Sequence, residues 1–186
     1  MSERHQYINN LPNRMNKDEF VSCFGGVYEH SPWIAEMAWE KNHTKKATPD
    51  QDTAEKTHQM LSAVVQMLSA VVNEASKEEK LALLRAHPDL ADRLAITKNM
   101  TKASLSEQAS ADLTNCSPQE FKTFQTLNAQ YKEKFGFPFI MAVRGYNRRE
   151  ILENFKKRRH NHTNTEFATA LEQVHRIAYL RLKEIT

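Results

Sequence analysis

Apolar residues recur along most of this chain at the three-and-four spacing of an α-helix, and period-two alternation is almost absent. The clearest segment is SPQEFKTFQTLNAQYKEKF (117–135), where Phe121, Phe124, Leu127, Asn128 and Tyr131 follow helical spacing. Ser117 and Glu120 form a capping box at its start, and Gly136 ends it. Upstream, residues 16–41 predict two short helices punctuated by Gly25–Gly26 and Ser31–Pro32. Ser31 reads as an N-cap with Pro32 at the first helical position, and Trp33, Ile34 and Met37 as core. Residues 42–53 read as a polar connector. In 60–75 the hexapeptide MLSAVV occurs twice, seven residues apart. Seven residues make nearly two turns, with a drift of ~20°, so one extra copy keeps the apolar face in place and lengthens the helix by about 10 Å. A coiled-coil array needs three or four heptads, so the repeat predicts one long helix.

SKEEKLALLRA (76–86) predicts the next helix, with Ser76 and Glu79 as capping box and Leu81, Leu84 and the stem of Arg85 turned inward. It should end near Ala86, because His87 precedes Pro88 and a residue before proline avoids the α region. A helix can restart over 88–96 with Pro88 at its first position, 97–103 reads as loop, and 104–113 begins another helix. NRREILENFKKRRHN (147–161) and 164–185 supply the last two. FPFIMAV (137–143) departs from the pattern: it is continuously apolar, uncapped, and contains a proline. The whole predicts an all-α fold, a single-domain helical bundle (1–186) of about eight helices with one extended apolar segment.

Composition agrees. Four glycines and six prolines are few for 186 residues, and good helix formers abound. No apolar run approaches the ~18 residues of a membrane span, and MSERHQYINN lacks a secretory h-region, so a soluble cytoplasmic protein with no membrane partner is expected. Cys23 and Cys116 stand far apart, as reduced thiols rather than a disulfide or zinc framework. A formal charge of +3 is too mild to argue for nucleic acid. The basic run KKRRHNH (156–162) reads as a solvated helix end matched to the dipole, and His160-x-His162 is not a metal-binding pattern, so neither nucleic acid nor metal is expected.

Three places carry candidate chemistry. His87 is either a histidine satisfying a helix C-terminus or a general acid–base group on a rigid His-Pro corner. Ser104, Glu107 and Gln108 stand at i, i+3 and i+4, so they form either another capping box or one ligand-facing surface beside Leu105 and Ser106. The backbone of 137–143 needs hydrogen-bond partners amid helices, which an amide-rich planar ligand or neighbouring helix ends would supply. Arg181, in YLRLKE, is a surface residue or a guanidinium turned inward to hold an anion or a carbonyl.

Taken together, EHSPW (29–33), AHPDLA (86–91), SLSEQ (104–108), LNAQYKEKFGFPFIMAVRG (127–145) and ALEQVHRIAYLRL (170–182) resemble one family in order and spacing. This is the 2-oxo-4-hydroxy-4-carboxy-5-ureidoimidazoline (OHCU) decarboxylases of urate breakdown. The departures are Asp92 and Asp112 where relatives tend to have glycine, the second MLSAVV copy, and no Arg-Pro-Phe near 40–48. The resemblance implies an all-α homodimer that converts OHCU to (S)-allantoin without cofactor or metal. It implies His87 and Glu107 as catalytic residues. It implies substrate binding by Pro88, Ser104, Leu105, Ser106, Glu107 and Gln108, by the run Phe139, Ile140, Met141, Ala142 and Val143, and by Arg181. In this reading His87 protonates the enolate-like ring species left by loss of CO2, and Glu107 orients the imidazole and keeps it protonated, or acts on the substrate hydroxyl. The alternative is a catalytically silent helical protein that binds ureides.

Overall fold

Seven helices and no strand occupy the described residues of the computed structural model, which are 12, 15–43, 54–90 and 117–185. They are α1 (Lys17–Phe24), α2 (Trp33–His43), α3 (Ala54–Glu74), α4 (Lys77–Arg85), α5 (Pro118–Phe135), α6 (Arg148–Arg158) and α7 (Thr163–Ile185). The all-α class is as the periodicity predicts. The helices expected over 104–113 and beyond Leu90 lie outside the described residues.

Local capping explains most of the boundaries. The boxes expected at Ser76–Glu79 and Ser117–Glu120 both form, and two more open α1 (Asn16, Glu19) and α6 (Asn147, Glu150). In each, a side-chain oxygen accepts an orphan N–H and a glutamate reaches back to the cap. Gly136 closes α5 at φ 78°, a left-handed conformation that any side chain would strain. One cap differs: α2 begins at Trp33, and the Pro32 carbonyl accepts from Glu36 at 3.1 Å, so the boundary lies one residue beyond the Ser31 cap.

By internal contacts the chain divides into two compact units, residues 1–80 with 177–186, and residues 81–176. In the first unit α1 packs on α2 and α2 on α3, around Phe20, Phe24, Ile34, Leu68 and Val72. Ile34 is buried as expected, whereas Trp33 and Met37 are only half-buried, because Ala35 and Ala38 take the close-packed face of α2. Val64 and Val71, equivalent positions of the two MLSAVV copies, are both buried, so the repeat does preserve its face. The helix carrying it starts at Ala54, six residues before the apolar pattern.

The second unit is built on aromatics. Tyr131 of α5 meets Phe139 and Phe155 edge-on, and Phe139 stacks on Phe155 with centroids 4.0 Å apart. Each such ring pair contributes about 0.5–1.5 kcal/mol beyond its buried area. On α4 the inward residues are Leu83 and Leu84, while Leu81 is half-buried and Arg85 exposed, a modest rotation of the expected face. On α5, Phe124, Leu127, Asn128 and Tyr131 are buried and Phe121 is half-buried. Residues 137–143 are non-helical and almost wholly buried, as the uncapped apolar run suggests.

Candidate functional site

The chain turns sharply after α4. Ala86 N–H still donates to Ala82 O at 2.9 Å, but His87 N–H reaches only Leu84 O, at 3.3 Å, a tightened last turn. Pro88 then prevents the helix from continuing. The His87 side chain folds back into the unit and is only 5% exposed. Its Nδ1 lies 3.2 Å from the Leu83 carbonyl, one of the acceptors left over at the helix end. A carbonyl oxygen only accepts, so Nδ1 carries the hydrogen in this contact. The helix-end reading of His87 is met in this contact: the ring satisfies the terminus of α4 through Nδ1.

The corner lines a cleft of about 440 Å³ with Arg85, Pro88, Asp89, Lys132 and Phe137. Asp89 is 9% exposed and meets Lys132 Nζ at 2.8 Å. Arg85 Nε donates to the Gly136 carbonyl at 2.9 Å. None of these three was a candidate site residue in the sequence, because each is a charged residue whose partner lies 43 or 51 positions away.

The extended run finds its partners within the protein. Arg158 Nη1 donates to Ile140 O at 2.7 Å, Ala142 N–H donates to Gln173 Oε1 at 3.0 Å, and Tyr146 N–H donates to Val143 O at 3.0 Å. For these groups the neighbouring helices and the turn over 143–146 supply what the buried backbone needs. Met141 is the least buried of the five residues Phe139 to Val143. Behind the run, Arg158 lies over the Phe139 ring at 4.6 Å and donates through Nε to Glu166 Oε1 at 2.8 Å. Glu166 is fully buried, and it also accepts from the Tyr131 hydroxyl and from Asn161 Nδ2. Burial pushes the Tyr131 phenol well above the usual tyrosine range. The reading of 156–162 as a solvated basic end holds for Lys156, Lys157 and His160 but not for Arg158, which is buried because Ile151, Phe155 and Arg158 follow one another on the inner face of α6.

Arg181 belongs to the other unit and points inward. It is 3% exposed, and Nη2 meets Glu29 Oε2 at 2.8 Å while Nη1 approaches Val27 O at 3.5 Å. The anion it holds here is the chain's own. Ser104, Leu105, Ser106, Glu107 and Gln108 lie outside the described residues. Among the described residues no group of three or more His, Cys, Asp or Glu is placed to hold a metal ion, and no helix is long and apolar enough to cross a membrane.

Comparison with known proteins places these features in context. Residues 13–183 match the sequence model of the family described as OHCU decarboxylase. A 2-oxo-4-hydroxy-4-carboxy-5-ureidoimidazoline decarboxylase of Haloferax volcanii is 43% identical over 183 residues, 97% of this chain and 96% of that protein. A uric acid degradation bifunctional protein of Bacillus sp. (strain TB-90) is 37% identical over 93% of this chain, which spans 31% of that protein. Among solved structures, an (S)-allantoin synthase superposes with a TM-score of 0.68 at 32% identity, over 96% of this chain and 53% of that one.

Proposed function

This chain belongs to the OHCU decarboxylase family, and from that premise we propose that it converts OHCU to (S)-allantoin in urate breakdown, as a cofactor-independent carboxy-lyase. His87 is the proposed proton donor. The observation that carries this role is the ring itself: buried on a proline-fixed corner, lining a cleft, with Nδ1 engaged by Leu83 O.

The chemistry then follows from the substrate. Breaking the bond to the carboxylate sends its electron pair into the conjugated ring, so the substrate is its own electron sink. Net reaction takes up one proton per CO2 released. Nε2–H of the imidazolium gives that proton to one face of the ring, which sets the (S) centre, and His87 regains it from solvent. A ring held at one nitrogen by a helix carbonyl is already oriented for this transfer. Glu107 is proposed to support the imidazolium or to act on the substrate hydroxyl. Pro88, the run 104–108, the run 139–143 and Arg181 are proposed as binding residues on the family resemblance. Within 139–143, Ile140 O, Ala142 N–H and Val143 O are engaged by the protein, which leaves binding to the other groups. Residues 1–186 are proposed as one OHCU decarboxylase-like domain, because the family match runs from 13 to 183. A cytoplasmic homodimer completes the proposal.

The test generates OHCU from urate with the upstream enzymes and follows circular dichroism. Uncatalysed decay gives racemic allantoin and little lasting signal. Rapid growth of the (S)-allantoin signal with this protein, lost in His87→Ala, is the expected result. Full activity in His87→Ala removes the histidine from the mechanism, and a folded wild type that gives no signal leaves the ureide-binding alternative.

A further inference from the structure

The residues two before and two after His87 are both tied to the C-terminal end of α5. Arg85 Nε donates to Gly136 O at 2.9 Å, and Lys132 Nζ meets Asp89 Oδ2 at 2.8 Å. The two anchor points on α5 are themselves bonded, because Gly136 N–H donates to Lys132 O at 2.9 Å as the helix cap. Arg85, Gly136, Lys132 and Asp89 therefore close a hydrogen-bonded circuit whose fourth side is the chain segment holding His87 and Pro88. The left-handed φ of Gly136 is what turns the chain out of α5 and presents its carbonyl to Arg85.

We infer that Arg85, Asp89 and Lys132 are positioning residues for His87: the circuit fixes the corner so that the imidazole meets the reacting carbon at one distance and angle. The inference rests on the reading of His87 as the proton donor. Its physical basis is the burial of Asp89 beside a half-exposed lysine. A carboxylate 9% exposed must keep its cation or move toward water, and any movement of Asp89 drags a backbone only two residues from the ring. A misplacement of about 1 Å at a reacting group costs on the order of 100-fold in rate.

The test uses Lys132→Met, Lys132→Arg and Asp89→Asn in the full chain. Lys132 is half-exposed, so its replacement opens no cavity in the core and covers the case in which Asp89→Asn does not fold. The expected result for Lys132→Met is a kcat lower by about 10- to 100-fold with KM within roughly threefold, and recovery of most of kcat in Lys132→Arg. A kcat within about twofold of wild type overturns the inference, and so does a KM raised about tenfold at constant kcat, which is the mark of a group that binds substrate directly. A readout independent of turnover is the ¹⁵N spectrum of the His87 ring. Wild type should show one tautomer, with hydrogen on Nδ1, and Lys132→Met should show averaging between tautomers. Unchanged ring signals in Lys132→Met overturn the circuit whatever the reaction. A wild type that leaves OHCU to spontaneous decay, with ring signals that do respond, places the failure in the assigned reaction instead.

Discussion

Replacing Glu166 by glutamine isolates the energetics of the buried network behind the extended run. The side chain keeps its shape but loses its charge. In the native protein the carboxylate is fully buried and accepts from Arg158 through Nε and Nη2, from Tyr131 and from Asn161. Without the charge, Arg158 stays 7% exposed with only neutral partners in this network, the new amide oxygen, the Ile140 carbonyl and the Phe139 ring. Breaking one side of a buried ion pair costs about 3–5 kcal/mol, because the surviving charge stays desolvated. At an m-value of about 2 kcal/mol per molar urea this moves the unfolding midpoint down by roughly 1.5–2.5 M. Equilibrium urea unfolding followed by far-ultraviolet circular dichroism measures it directly. The paired change Glu166→Gln with Arg158→Met should cost less than the sum of the two single changes, since it removes the stranded cation. A midpoint within about 0.3 M of wild type for Glu166→Gln would refute the reasoning, and so would strict additivity in the double variant.

The other predictions concern pH and backbone. Burial holds the phenols of Tyr28 and Tyr131 well above the ordinary tyrosine range, so they favour the folded state fully below pH ~10 and that contribution is lost as pH rises further. In an alkaline titration of phenolate absorbance, two of the five tyrosines should ionise only with unfolding. At the acid end, the Ser76 hydroxyl and backbone hold Glu79 below the usual carboxylate range, and the Ser117 backbone and hydroxyl do the same for Glu120. Their contribution is complete above the ordinary carboxylate pKa and fades as pH falls through the lowered one, so Glu120→Gln should flatten the acid limb of stability against pH. Gly136→Ala should destabilise by about 1–2 kcal/mol through its positive φ, seen as a lower urea midpoint. Among the described residues an added Cβ there meets only Arg85 Nη2, at an ordinary 3.5 Å, so the strain of the positive φ is the larger effect.

Features whose physics is local were legible in the sequence. Ser117, Glu120 and Gly136 mark both ends of α5 because caps act within a few residues, and Pro88 marks the end of α4 because its ring forbids helix continuation. The heptad spacing of the MLSAVV copies likewise fixes which face of α3 turns inward. Features that depend on distant charged partners were not legible. Lys132 and Asp89 are 43 residues apart and look like surface, and for Arg181, 152 residues from Glu29, the pattern allows an inward guanidinium without identifying its partner. Arg158 is instructive, since KKRR looks solvated, yet the spacing of Ile151, Phe155 and Arg158 puts the arginine in phase with the apolar face. At the site, His87 could be singled out because proline isolates it, whereas the circuit around it appears only once α4 and α5 are brought together.

The extended run also bears on what happens when this protein unfolds. FPFIMAV is apolar, rich in residues that favour strands, and short enough to stack against copies of itself. In the folded chain it has no partner strand among the described residues, and side chains from α6 and α7 hold parts of its backbone. Once released, the same backbone becomes an unprotected edge. Pro138 inside it, with Lys134 before and Arg144 after, stands where gatekeepers against self-association are usually found. Heat-unfolded protein should therefore be lost to aggregates above a threshold concentration, and the penalty for opening this segment is colloidal as well as thermodynamic.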